Sequence, residues 1–113
     1  VLLNDETYLE ASRAMAARVI DELPGEWERT LRDRLVRSYR YLTGRRPSER
    51  SLEVLTNLTL ESYESFSADS EKAEGFLAYG ESPLDEDADT VELATLAYTA
   101  SAILNLDKTI TRD

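Results

Sequence analysis

Between Val91 and Leu104 the chain reads VELATLAYTASAIL, and Glu92 is its only charged residue. Wound as a helix, this stretch is apolar on nearly every side. Such a helix is buried among other elements and does not lie on a surface. Its polar residues Glu92, Thr95 and Thr99 form one narrow strip at helical spacing. The rest of the chain must therefore supply cover on several sides.

The cover reads as helices, because apolar residues recur at about 100° per residue almost everywhere and no stretch alternates as a strand does. From Asp5 to Leu23, Tyr8, Leu9, Met15, Ala16, Val19, Ile20 and Leu23 share one side, while Glu10, Arg13, Arg18 and Asp21 fall away from it. Asn4 suits the N-cap, and Asp5 and Glu6 suit the positive end of the helix dipole. Pro24-Gly25 forces a turn. A second helix runs from about Glu26 to Thr43 on a stripe of Trp27, Leu31, Leu35, Tyr39 and Leu42, with Gly44 as its C′ residue. Ser48 caps a third helix, to about Phe66, whose core side holds Leu52, Leu55, Leu58, Tyr63 and Phe66. Asp69 caps a short fourth, Ser70 to Tyr79, which packs Ala73, Phe76 and Leu77. Asp89 and Glu92 form an aspartate version of the capping box before the buried helix, with Ala88 and Leu93 as a weak staple. The expected fold is all-α: an irregular bundle of four to five helices around a buried C-terminal helix. At 113 residues this is one domain, 1–113, able to bury roughly two-thirds of its unfolded surface.

Composition narrows the chemistry. There is no Cys and no His, which removes disulfides, thiolate and imidazole metal sites, haem attachment and the common triads together. No apolar run approaches the ~20 residues of a membrane span. The net charge is −10, which argues against nucleic acid and anionic membrane as partners. It is unevenly placed. Residues 1–25 carry five acids and two bases, 26–50 carry four acids and eight Arg, and 51–113 carry fourteen acids and three bases. Arg29, Arg32, Arg34, Arg37 and Arg40 read as a solvated helix face paired with acids of neighbouring helices, since no aromatic residues interleave with them as base-stackers.

Other signals are weak. Asp85, Asp87 and Asp89 alternate like the first ligands of a calcium loop, but Thr90 stands where Gly is needed and Leu96 where Glu is needed. Asn57-Leu58-Thr59 matches a glycosylation sequon in mid-helix. Glu61 and Glu64 share a face directed to solvent. Tyr41 and Tyr79 lie off the core stripes and are the tyrosines to consider as sugar platforms. No residue is assigned a catalytic, cofactor-binding or metal-ligating role.

Two leucine-asparagine phrases remain, VLLND at the start and ILNLDKTITRD at the end. By spacing alone, Asn4 and Asp5 cap the first helix, while Asn105 and Asp107 follow the buried helix and bond its released backbone groups. Four phrases, LLNDETYLEASRAMAARV, YRYLTGRRPSERSLEVL, GESPLDEDAD and ASAILNLDKTITRD, occur in that order. Together they resemble the planctomycete-specific domain of unknown function found at the C-terminus of large proteins that often carry cytochrome c-like segments. The resemblance spans nearly the whole chain. It departs at Lys108, where that family commonly has Glu, and at Ser51, where Glu is common.

The resemblance implies a piece from the C-terminal end of an exported multidomain protein, in some cases linked to breakdown of complex carbohydrates. Haem would belong to upstream domains, with no cofactor in this chain. Two readings follow. In the first, the chain is a non-catalytic accessory domain whose partners are upstream domains of the same polypeptide. In the second, it completes an enzyme site there, with Asn4, Asp5, Asn105, Asp107 and Arg112 facing a shared cleft.

Overall fold

A computed structural model describes the backbone of residues 6–78 and 89–111 and the side chains of 9–78 and 89–105. Among the described residues five helices follow one another: α1 (Glu6–Glu22), α2 (Trp27–Thr43), α3 (Glu49–Ala68), α4 (Ser70–Leu77) and α5 (Thr90–Thr111). No strand occurs among the described residues, and no described helix is long and apolar enough to cross a membrane. The expectations placed on Asn4, Asp5, Tyr8, Tyr79, Asp85, Asp87, Ala88 and Arg112, and on the side chains of Asp107 and Lys108, lie outside the described residues.

Helix α5 is the centre of the bundle. Leu93, Ala94, Leu96, Ala97, Ala100 and Ile103 are all between 0 and 3% exposed, so these residues leave little of the helix facing solvent. It packs on each of the other four helices, most extensively on α1. The two threonines of its polar strip are buried too and satisfied internally. Thr95 Oγ1 donates to Val91 O at 2.7 Å. Thr59 Oγ1 donates to Leu55 O at 2.6 Å and lies 2.8 Å from Thr99 Oγ1. Since the Thr59 proton is committed to Leu55, Thr99 must be the donor of that pair.

The turn chemistry of the sequence is realised at most described boundaries. Gly44 adopts φ 76°, and its N–H bonds Arg40 O at 2.8 Å. At this positive φ, glycine avoids the Cβ penalty of other residues. Ser48 Oγ accepts from Ser51 N at 3.0 Å, and Asp69 Oδ1 accepts from Lys72 N at 3.2 Å. Helix α2 is the exception, since Glu26 makes no side-chain cap.

Three expectations are corrected. The buried helix does not stop after Leu104 but continues to Thr111. Neither Gly nor Pro interrupts it there, and Ile103, Leu106 and Ile110 keep the i, i+3, i+7 spacing, so Asn105 and Asp107 are helical positions. Leu58 is half-buried, and its neighbour Thr59 takes the fully buried place. Arg13, expected to point away, is 7% exposed, and its Nη1 donates to Leu77 O at 2.6 Å. The carbonyls at the end of α4 lack helical partners, and a guanidinium supplies one.

Aromatic side chains join the outer helices. Trp27 stacks on Tyr63 at 4.4 Å between centroids, tying α2 to α3. Phe66, Phe76 and Tyr98 form a triangle of α3, α4 and α5 with centroids 5.8–6.4 Å apart. Pairs of this kind contribute about 0.5–1.5 kcal/mol beyond their buried area.

Among the described residues, one buried side-chain group is unsatisfied. The Ser12 hydroxyl on α1 is fully buried and meets no hydrogen-bond partner. A buried polar atom without a partner costs about 1–3 kcal/mol, and Ala is the better helix former. Ser12→Ala is therefore expected to stabilise the fold by about 1 kcal/mol, read as a higher urea midpoint at unchanged slope. A lower midpoint would mean that the hydroxyl is bonded after all.

Candidate functional site

The described residues offer two polar constellations, one buried and one exposed. The buried one is built on Arg34. Its side chain is 1% exposed, although the sequence places it on the solvated arginine face. Nε donates to Leu23 O at 3.0 Å, Nη2 to Gly25 O at 3.4 Å, and Nη1 to Glu92 Oε1 at 3.1 Å. The physical reason is local. Helix α1 ends at Glu22 and Pro24-Gly25 turns the chain sharply, so carbonyls are left facing inward without helical partners. A five-donor fork fits such a set.

Glu92 was expected to complete a capping box. Half of it forms, since Glu92 N donates to Asp89 Oδ1 at 3.0 Å. The other half is replaced, because the Glu92 carboxylate, 18% exposed, turns to Arg34. Burial pushes the nearby Tyr63 phenol above its ordinary pKa, and the negative charges of Asp89 and Glu92 add to this.

The knot also orients the bundle. Arg34 touches the end of α1 and the start of α5 at once, and α1 packs along α5 more extensively than any other helix pair. The two must therefore run antiparallel. Glu6 lies sixteen residues before Glu22, and Lys108 the same number after Glu92. At about 1.5 Å per residue, the start of α1 and the last turns of α5 fall at the same end of the bundle. Of the proposed cluster, Asn105 is half-buried on α5. The backbone of Asp107 is helical, while Asn4, Asp5 and Arg112 lie outside the described residues.

The exposed constellation centres on Glu22. Its Oε1 accepts from Tyr41 OH at 2.6 Å and Arg37 Nη1 at 3.3 Å, and its Oε2 accepts from Arg18 Nε at 3.0 Å. The Arg18 guanidinium also lies 4.3 Å from the centre of the Tyr41 ring. Tyr41 is 40% exposed yet fixed by both contacts. Beside it runs an open groove of about 580 Å³, lined by Leu23, Asp33, Val36, Arg37, Arg40 and Tyr41. The pairing of arginines with acids of other helices extends to Arg32 and Glu49, 3.2 Å apart.

The Tyr41 hydroxyl, with Arg18 next, holds the Glu22 carboxyl below the usual glutamate range. A depressed folded-state value contributes stability above the ordinary pKa of about 4.3, and this is lost as the pH falls through the depressed value. An NMR titration is expected to place Glu22 below the ordinary glutamate value, and Tyr41→Phe to move it back toward that value. No change in Tyr41→Phe would remove the hydroxyl as the cause.

The sequence reading missed Arg13, Arg34, and the Glu22–Tyr41 pairing. For the two arginines a signal existed. Arg13 lies about 40° from Leu9 and Arg34 about 20° from Trp27 on a 100° wheel, both on the apolar side. Nothing in the spacing of Glu22 and Tyr41 joins them, because α1 and α2 meet through a turn. Compared with protein-family models, curated proteins and solved structures, the chain matches none of them.

Proposed function

We propose that this chain is a helical accessory domain, of the planctomycete type its four phrases resemble, which docks on upstream domains of the same exported polypeptide. The observation that supports this most is how the charged groups are used. Arg13 and Arg34, the buried cations among the described residues, bind backbone carbonyls and Glu92, and the described grooves are open surfaces between helices. General acid–base chemistry needs a perturbed group in a cleft, whereas the perturbed carboxyl here sits on the outside, held by three side chains. The test is calorimetry between this domain and the upstream portion of a full-length protein carrying the same phrases. Saturable binding is expected, and its absence would end the reading.

The antiparallel pairing of α1 and α5 favours a second reading, since it brings the start of one phrase-bearing helix beside the end of the other. Under it, Asn4, Asp5, Asn105, Asp107 and Arg112 complete an enzyme site with upstream residues. An Asp107→Asn change in the full-length protein would abolish activity while leaving the helical circular-dichroism signal intact. Full activity in that variant would discard it.

A further inference from the structure

We infer that the outer face of α2 is the docking surface, and that its partner is an acidic polypeptide segment carrying two carboxylates about 16 Å apart with an aliphatic side chain between them. This rests on the docking reading above and gives it a surface and a chemistry.

The face has a definite pattern. Arg29, Asp33, Arg37, Arg40 and Gly44 follow each other at three- and four-residue steps, so they form one row on the helix. Arg29 and Arg40 are exposed, and among the described residues neither has an ion-pair partner. Eleven residues separate them, about 16 Å along the axis. Between them Arg37 is tied to Glu22 at 3.3 Å, and Asp33 has no ion pair among the described residues, so an acid placed midway would meet a carboxylate. Leu23 and Val36 are the aliphatic residues that line the groove beside the row. The row thus offers a cation at each end, an anion between them and aliphatic side chains in the groove beside it.

Charge complementarity selects the occupant. Residues 26–50 carry eight Arg against four acids in a chain of net charge −10. Arginine forks bind carboxylates bidentately. A nucleic-acid backbone would instead need positive charge along the whole row and stacking rings, whereas Asp33 interrupts the row and Tyr41 is held at its hydroxyl and across its ring. An extended segment advances about 3.3 Å per residue, so carboxylates five residues apart span Arg29 to Arg40.

The probe is a synthetic six-residue peptide with glutamate at both ends, leucine at its fourth position and alanine elsewhere, added to the isotope-labelled domain and followed by NMR. Saturable shifts are expected at Arg29, Val36, Arg40 and Tyr41. Glutamine at both ends should weaken binding at least ten-fold, and alanine for leucine should weaken it measurably. Arg29→Glu combined with Arg40→Glu should abolish it with the fold intact, since both side chains are exposed. Equal binding of the glutamine peptide, shifts centred elsewhere, or tighter binding of oligothymidylate than of the peptide would each overturn the assignment. The same double variant is then tested against the upstream portion. If wild type and variant bind equally, docking stands and this surface falls. If the wild type does not bind, the docking reading falls, while the peptide titration still reports on the groove.

Discussion

Arg34→Ala is expected to lower the unfolding free energy by about 3–5 kcal/mol, the range for breaking a buried ion pair from one side. The loss has three parts. The Glu92 carboxylate, 18% exposed, keeps its charge without its partner, Leu23 O and Gly25 O lose their donor, and the long side chain leaves a cavity. Against a total stability of about 5–15 kcal/mol for a domain, this is enough to leave the variant marginal. Glu92→Gln should cost less, because the amide still accepts from Arg34 and the two carbonyls are untouched. Arg34→Met with Glu92→Leu should recover part of the loss, since apolar replacement of both members of a buried pair is often near neutral. Urea unfolding of the four proteins decides the matter. A cost below about 1 kcal/mol for Arg34→Ala would place that guanidinium in the class of exposed ion pairs and contradict its burial.

That knot also shows where a sequence stops being readable. The all-α fold and the buried helix were legible because both follow from spacing within one element. Val91 to Leu104 has a single charge, and Gly44, Ser48, Asp69 and Asp89 act within a turn of where they stand. Arg13 and Arg34 were misplaced because residue type outweighed position: each lies on the apolar side of its wheel, but arginine is rarely fully buried unless paired. The partners that allow burial, Leu77 O for one and Leu23 O, Gly25 O and Glu92 for the other, are not deducible from periodicity. The end of α5 was misread for a different reason. Asn and Asp compete for backbone bonds and often mark helix ends, but they do not break a helix when apolar residues continue at its period. For the candidate site, the phrases gave residue names, while the antiparallel course of α1 and α5, needed to relate them, emerged only from contacts across the bundle.

Leu96→Ala is the second change expected to have a large effect, and it tests the central place of α5. Leu96 is 1% exposed and belongs to the cluster that includes Ala16, Leu35, Leu52, Phe66 and Leu77 from the four surrounding helices. Truncating it removes packing on several sides, and neighbours held by their own helices cannot all collapse into the gap. The expected cost is about 2–5 kcal/mol, the transfer of the lost methyl groups plus the cavity left behind. Leu60→Ala, the same substitution on α3 at a residue 47% exposed, is expected to stay within about 0.5 kcal/mol. Comparing the two holds the chemistry of the substitution constant and varies only burial, so helix propensity cannot account for the difference. If both cost the same, α5 would be a surface helix whose apolar sequence needs another cover. A large loss at Leu96 alone fits a bundle whose four outer helices cover the fifth, so that their exposed faces, α2's arginine row included, are where a partner can bind without repacking the core.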